Sequence, residues 1–539
     1  MKVTLAQLDY VVGDIEGNKE KIIAVAQQSA GSSLVVFAEM ALCGCPSYGL
    51  LQYDWFIDKC EKALDEIASR CDNIPILVGA PIRNNSGKGK PLFNAAVYMF
   101  QGQRKVFKKK QLGISDRYEA EYFEPSDEND ILKVGCHKFA ITIGDDMCNN
   151  SGDDILISNR VDELMPQQPD LIVNIAADRF ICQHAEQRRN VLRQTVLKYE
   201  RPLIYVNQVG ASTDYIYDGG SMVFGYNAYV VDSLPFFETV VKNVPMELLI
   251  SMKRSDNQEI PSKYESLYNA LILGIRDFFQ KQGFSKAVLG LSGGIDSALV
   301  MTLAAAALGN ENVTAILLPS EYSTGHSVSD AEALAKNLGS PYYIIPIKDS
   351  FHTLQDTLSP VFKGLPFDVT EENLQARIRA VILMAYSNKF GNILLNTSNK
   401  SEAAVGYGTL YGDMCGSLSV IGDVYKTDVF GLSRWINRES EIIPWHTIEK
   451  VPSAELRPDQ KDTDSLPDYP VLDAILYQYV ECSQSPDAIV AQGFDSALVN
   501  KVIRLVNANE FKRKQVAPIL SVSYKPFSRR LMPIGRFVV

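Results

Sequence analysis

Between residues 287 and 297 the chain reads Ala287-Val288-Leu289-Gly290-Leu291-Ser292-Gly293-Gly294-Ile295-Asp296-Ser297, an apolar strand running into a Gly-rich turn and then a helix. Such a segment builds a cradle for phosphate. Glycines let the backbone approach a pyrophosphate, serine hydroxyls donate to it, and the helix N-terminus adds partial positive charge. The Lys-Ser/Thr of a Walker loop is missing, and so is the glycine spacing of a dinucleotide fingerprint. The cradle therefore belongs to neither of those classes.

The chain has 539 residues, too many for one hydrophobic core, so about two to four domains are expected and two is the starting point. From Met1 to about Leu249, short β-rich runs recur at Val3–Leu8, Leu34–Phe37, Ile76–Gly79, Ala95–Phe100, Phe139–Ile143, Leu171–Ile175, Leu203–Val206 and Tyr229–Val231. Helical stretches such as Asn18 to Ser29 and His184 to Tyr199 separate them, the pattern of a layered α/β or α+β domain. Polar residues then take over, and Ser251 to Ser262, containing Lys253-Arg254-Ser255-Asp256-Asn257 and Pro261, reads as a linker. Beyond it strands alternate with helices again at Ala287–Leu291, Val313–Leu317, Tyr342–Ile345 and Ile393–Asn396, which favours a parallel sheet covered on both faces. The expected division is a first domain over 1–250, a linker over 251–262 and a second domain over 263–539.

Several function classes are disfavoured. A formal net charge of -11 argues against general nucleic-acid binding, because phosphate contacts need clustered Lys and Arg, and only Lys108–Lys110 and Lys512–Lys514 form short basic runs. The nine cysteines form no CxxC pair and the five histidines show no HxxxH or HxxEH spacing, so neither a disulfide framework nor a zinc hydrolase is suggested. Apolar runs such as Ala298 to Leu308 are too short to span a bilayer, and no secretory leader is visible. A cytoplasmic protein is expected.

The SGGIDS turn resembles the pyrophosphatase loop of N-type ATP pyrophosphatases, which split ATP into AMP and pyrophosphate to adenylate a substrate. That superfamily has many acceptors, and later segments narrow the choice. Pro319–Ser327 with Asp330-Ala331, Glu371–Arg379, Asn396–Glu402, Tyr407–Asp413, Val424–Thr427, Pro452–Pro458 and Asn509–Lys514 resemble, in order, the elements of NAD synthetases. Over essentially its whole length the chain resembles the glutamine-type, two-domain NAD synthetase family. The resemblance implies a C–N bond-forming ligase whose synthetase domain has a Rossmann-like fold of the adenine nucleotide alpha hydrolase type. Its substrates would be ATP, deamido-NAD and ammonia or glutamine, and its state a homo-oligomer, at least a dimer. It also implies residue roles. Gly290, Leu291, Ser292, Gly293, Gly294, Ile295, Asp296, Ser297, Thr397, Lys426 and Ser453 would bind ATP. Asn373, Arg377, Glu402, Asp413 and Lys512 would meet deamido-NAD, and Asp296 and Glu402 would hold Mg²⁺. The chemistry suits such residues: a carboxylate resists ammonia because hydroxide leaves poorly, whereas its adenylate leaves as AMP, and a hard cation matches carboxylate and phosphate oxygens. A regulatory paralogue without turnover would be expected to lack these ligands, and a tRNA-modifying relative would carry a basic extension.

The first domain resembles nitrilase-type amidases, an αββα sandwich that in this family releases ammonia from glutamine through a Glu-Lys-Cys triad. Glu39 falls at the general-base position, Lys109 at the lysine and Glu119 at the supporting acid. The nucleophile should follow Phe139–Ile143 in a turn that normally reads Cys-Glu-Asp, but here the turn reads Gly144-Asp145-Asp146. Glycine cannot form a thioester. Nearby segments depart as well: Ala176-Ala177-Asp178-Arg179-Phe180 stands where SASPF is expected, and Gly210-Ala211-Ser212-Thr213 where Gly-Gly-Gln-Asp is expected, while Arg188, Asn207 and Asp218–Ser221 still match. Cys148 is a conceivable substitute nucleophile, although four residues displace it by several ångströms. Cys43 and Cys45 read as small buried side chains. Two readings follow: a silent scaffold serving a synthetase that takes free ammonia or uses a donor subunit, or a domain that hydrolyses glutamine through rearranged residues.

Overall fold

The computed structural model describes residues 2–113, 117–147, 160–250, 259–458, 460–530 and 532–535. The chain divides into two compact units, Met1–Pro261 and Ser262–Val539.

In the first unit, strands that are apolar on both faces sort alternate residues into different cores. Val3, Leu5, Leu34, Val36 and Leu77 join one cluster, while Ala6, Val35, Phe37, Ile76 and Val78 join another. Such strands need a layer on each side. One six-stranded sheet has the order Val240–Pro245, Lys2–Gln7, Leu34–Phe37, Ile76–Arg83, Leu92–Phe100, Gln103–Lys108. The second has the order Val230–Ser233, Met222–Phe224, Leu203–Asn207, Leu171–Ala176, His137–Ile143, Leu132–Val134. The sheets pack through the first cluster, to which the second sheet adds Phe139, Ile141, Leu171, Val173, Ile204 and Val206. Helices Ile15–Gln28 and Asp54–Arg70 cover the outer face of the first sheet through Ile22, Phe56 and Leu64. Arg160–Leu164 and Ala185–Tyr199 cover the second through Val161, Leu164, Leu192 and Val196. This is the expected αββα sandwich, and it carries Glu39, Lys109, Gly144 and Ala177 just past the C-terminal ends of four strands.

The second unit begins one residue inside the stretch that reads as linker. Ser262 caps the helix Lys263–Gln282, its hydroxyl accepting from Glu265 N while Glu265 reaches back in a capping box. Residues 251–258 of that linker lie outside the described residues. A five-stranded, all-parallel sheet follows, ordered Tyr342–Ile344, Val313–Leu317, Ala287–Gly290, Ile393–Asn396, Leu418–Ser419. The chain first builds outward from Ala287–Gly290 and then crosses back to add Ile393–Asn396 on its other side. Crevices for ligands form at such a reversal, outside the carboxyl ends of the strands. Among the described residues no helix is long and apolar enough to cross a membrane.

Candidate functional site

In the first unit Glu39, Lys109 and Glu119, the residues expected at the triad positions, meet one another. Glu39 Oε1 accepts from Lys109 Nζ at 2.9 Å and Asn94 Nδ2 at 2.7 Å, and Oε2 accepts from Ala177 N at 3.1 Å. Glu119 Oε1 accepts from Lys109 Nζ at 2.7 Å and Asn94 Nδ2 at 3.0 Å, and Oε2 accepts from Lys109 Nζ at 3.0 Å and Gly113 N at 2.7 Å. Burial pushes the Glu39 carboxyl up to about 7, against the pull of the Lys109 ammonium. Burial also works against the Lys109 charge, but Glu119 and Glu39 outweigh it and hold the ammonium well above its ordinary value.

Gly144 sits against this trio with φ +47°. A Cβ built on it would lie 2.6 Å from Glu39 Oε2 and 2.9 Å from Lys109 Nζ, closer than real side chains approach. Glu39 and Lys109 thus stand in the space a side chain at 144 would use. Asp178 is held by Tyr205, whose hydroxyl donates to Oδ2 at 2.6 Å, and its amide donates to Asn207 Oδ1 at 2.9 Å. Arg188 forks onto Asp218 at 2.9 and 2.8 Å, buried, and Asn207 Nδ2 donates to Asp218 Oδ1 at 3.4 Å, so the three act as a framework. Cys43 is buried as expected, but Cys45 is only half-buried, because it lies at the rim of its cluster rather than inside it. Cys148 lies outside the described residues.

In the second unit the Gly-rich turn opens into a cavity of ≈ 260 Å³ at the strand reversal. Gly290, Leu291, Ser292 and Gly294 line it from the turn, Thr397 and Asp413 from beyond Ile393–Asn396, and Ser453 from a later loop. Gly293 has φ +79°, and a Cβ there would lie 2.2 Å from the Ser327 carbonyl oxygen, so only glycine fits. The turn is laced internally: Ser297 Oγ donates to Gly294 O at 3.0 Å, and Gly294 N donates to Ser292 Oγ at 3.2 Å. Ile295 is core rather than lining, since it opens the helix Ile295–Leu308 facing inward.

Asp296, in the first turn of that helix, accepts from Asn399 Nδ2 at 2.8 Å and from Lys426 Nζ. Lys426 Nζ also donates to Glu402 Oε1 at 3.4 Å. Burial and the Asp296 charge push Glu402 up to about 8, against the Lys426 ammonium. Burial works against the Lys426 charge, yet Asp296 and Glu402 outweigh it and raise the ammonium above its ordinary value. Among the described residues no cluster of three or more His, Cys, Asp or Glu side chains gathers for a metal ion. Two carboxylates on one ammonium nonetheless suit Mg²⁺, which takes one or two protein carboxylates and completes its shell with waters and substrate phosphates.

The remaining residues converge on a single segment. Lys512 Nζ donates to Gly406 O at 2.9 Å and Gly408 O at 2.8 Å, Thr409 Oγ1 donates to Asn373 Oδ1 at 2.7 Å, and Arg377 Nε donates to Leu410 O at 3.2 Å. Asp413 closes the turn by accepting from Thr409 N at 2.6 Å. Of these four, Asp413 also lines the large cavity.

Residues 2–254 match the carbon-nitrogen hydrolase family and residues 267–516 match the NAD synthase family. The chain is 43% identical to the glutamine-dependent NAD(+) synthetase of Synechocystis sp., over 99% of this chain and 98% of the relative. The chain belongs to the two-domain NAD synthetase family. It is therefore an NAD synthetase by family, a ligase that forms a C–N bond. The Thermotoga maritima glutamine-dependent NAD(+) synthetase is 38% identical over 98% of this chain and 97% of its own length. A solved glutamine-dependent NAD+ synthetase from Acinetobacter baumannii, in complex with ADP, superposes with a TM-score of 0.78 at 34% identity, covering 99% of this chain and 98% of that one.

Within this NAD synthetase framework the cavity wall includes residues to which the sequence reading attached no role. Arg379 lines it and donates Nε to Leu318 O at 3.0 Å; burial lowers its guanidinium to about 10, still charged at neutral pH. Glu455, with φ +50°, accepts from Ser327 Oγ at 2.6 Å, Lys450 Nζ at 2.9 Å and Thr324 N at 3.2 Å. Arg379, Ser327 and Glu455 lie inside motifs that resemble the family's, so the motifs were the signal. Lys450 lies outside every motif, and only the fold brings it to the cavity.

Proposed function

We propose that this NAD synthetase adenylates the nicotinate carboxylate of deamido-NAD with ATP and takes ammonia directly as nitrogen donor, its N-terminal unit being a catalytically silent scaffold. One observation carries the nitrogen reading: at the nucleophile position stands Gly144, with Glu39 and Lys109 occupying the space of the missing side chain. Without a thiolate there is no route to a thioester. Glu39, Lys109 and Glu119 are then remnants that bond one another.

In the synthetase unit the turn Gly290–Ser297 meets the ATP phosphates, with Thr397 and Ser453 along the same cavity. Asp296 and Glu402 would hold Mg²⁺, which when bound would supply positive charge where adenylation builds negative charge on phosphate. Lys426 adds its ammonium between the two carboxylates. Asn373, Arg377, Asp413 and Lys512 shape the 406–413 segment toward deamido-NAD. We read the enzyme as cytoplasmic and as a homo-oligomer, at least a dimer. The oligomer reading is supported by exposed apolar side chains concentrated between residues 343 and 390, among them Val361, Leu365, Val381 and Phe390. Replacing Val381 and Phe390 together by Asp should shift sedimentation toward the monomer.

A second reading keeps glutamine as the donor. It is favoured by the relatives, which are named glutamine-dependent, and by the retained Glu39, Lys109 and Glu119. Parallel assays decide between them: with ATP, Mg²⁺ and deamido-NAD, ammonium should support NAD formation and glutamine should not. A comparable rate with glutamine, accompanied by free glutamate, would reject the silent-domain reading.

A further inference from the structure

The helix Lys426–Ile436 begins without a cap of its own. Its N-cap residue, Tyr425, makes no side-chain hydrogen bond to the helix start. The first amides of a helix need acceptors, and a buried start without them is costly. Here both acceptors come from other helices. Lys426 N donates to Ser401 Oγ at 2.9 Å, and Thr427 N donates to Asp473 Oδ2 at 2.8 Å. Ser401 Oγ in turn donates to Asp473 Oδ1, so one carboxylate joins both caps. Ser401, Asp473 and Lys426 are all buried.

The consequence lies on the other side of the same residues. Ser401 is followed directly by Glu402, and the capped residue Lys426 directs its ammonium to Asp296 and Glu402. The Lys426 backbone and the Glu402 backbone are therefore held together by the Ser401–Asp473 pair. The carboxylate also sits where the dipole of the Lys426–Ile436 helix favours negative charge. We propose that Asp473, acting through Ser401, is a positioning residue for the phosphate-side charge cluster, fixing the Lys426 ammonium between Asp296 and Glu402. Asp473 does not line the cavity. The proposal rests on the reading of Lys426 as the lysine facing the ATP phosphates.

The test uses the full-length enzyme and four variants, Lys426→Ala, Asp473→Ala, Asp473→Asn and Ser401→Ala, each assayed for pyrophosphate release across ATP and deamido-NAD concentrations. Asparagine is a good helix cap and retains one acceptor oxygen for Thr427 N. Misplacing a phosphate-side charge by about an ångström costs on the order of 10²-fold. Asp473→Ala should thus lower kcat/KM for ATP by about that factor while the KM for deamido-NAD stays near wild type, and Asp473→Asn should recover most of the loss. Ser401→Ala, which deletes only the bridging hydroxyl, should lower kcat/KM for ATP as well, so a poorly folding Asp473→Ala does not end the test. A fall in active fraction and melting temperature with kcat/KM for ATP per active enzyme unchanged in all Asp473 and Ser401 variants would overturn the positioning role. An unchanged ATP KM in Lys426→Ala would instead reject the underlying assignment of Lys426.

Discussion

Gly144 and Gly293 both occupy the left-handed region, but different neighbours require it. At Gly293 the obstacle is backbone, the Ser327 carbonyl 2.2 Å from where a Cβ would lie. Backbone cannot rotate away, so Gly293→Ala should displace the turn and reduce ATP-dependent pyrophosphate release by about 10²-fold or more. At Gly144 the obstacles are the polar ends of Glu39 and Lys109. Left-handed strain and the crowding of that ion pair together should make Gly144→Ala destabilising by about 1–3 kcal/mol in denaturant unfolding. The same buried charges set a pH dependence. The Glu39 carboxyl is raised from its ordinary 4.5 to about 7, so its contribution to stability is complete below 4.5 and is lost as pH rises through 7. Glu39→Gln cannot titrate, and its unfolding free energy should fall less steeply than wild type between about pH 4.5 and 7. An equal slope in the two proteins would show that another group titrates there.

The segment 406–413 shows what an element adds to a list of residues. Lys512 and the pair Asn373 and Arg377, which share the helix Val369–Phe390, come from two distant stretches of sequence and bond successive parts of one turn. Burial lowers the Lys512 ammonium and the Asp413 charge opposes that, while Gly406 O and Gly408 O accept from its Nζ. Lys512→Ala releases both carbonyls, and the KM for deamido-NAD should rise while that for ATP changes little; a rise for ATP alone would contradict the assignment. The convergence on one turn was not legible in the sequence, because the motifs gave residue types in order but no partners. What was legible was the scaffold. Strands such as Leu34–Phe37 and Val313–Leu317 are continuous apolar runs bounded by turn residues, and they appear with the expected limits. Polar edge strands escaped notice: Gln103–Lys108 alternates too weakly to stand out, and Val240–Pro245 is defined by antiparallel pairing with Lys2–Gln7 across the whole unit. Local pattern cannot report a partner more than two hundred residues away.

At the scale of the whole chain, two units match two enzyme families, and the question is whether the first performs any chemistry. Its strand ends deliver Glu39, Lys109 and Gly144 to one place, and on the proposed reading the sandwich keeps the frame of an amidase site without the thiolate that would attack. If attack on glutamine needs a thiolate at that turn, an electrophilic glutamine analogue should leave the protein's mass unchanged. Cys148 is the alternative attacker, and the analogue distinguishes it directly: a covalent adduct mapped to Cys148, together with loss of glutamine-supported NAD formation in Cys148→Ala, would identify a displaced nucleophile and overturn the silent-domain reading. Gly144→Cys is the complementary experiment. The new Cβ must push Glu39 and Lys109 out of contact distance, and Asp178 and Ser212 still depart from the family's pattern around it. The variant should therefore gain adduct formation slowly and recover glutamine-dependent synthesis only in part, with its ammonium-dependent rate unchanged.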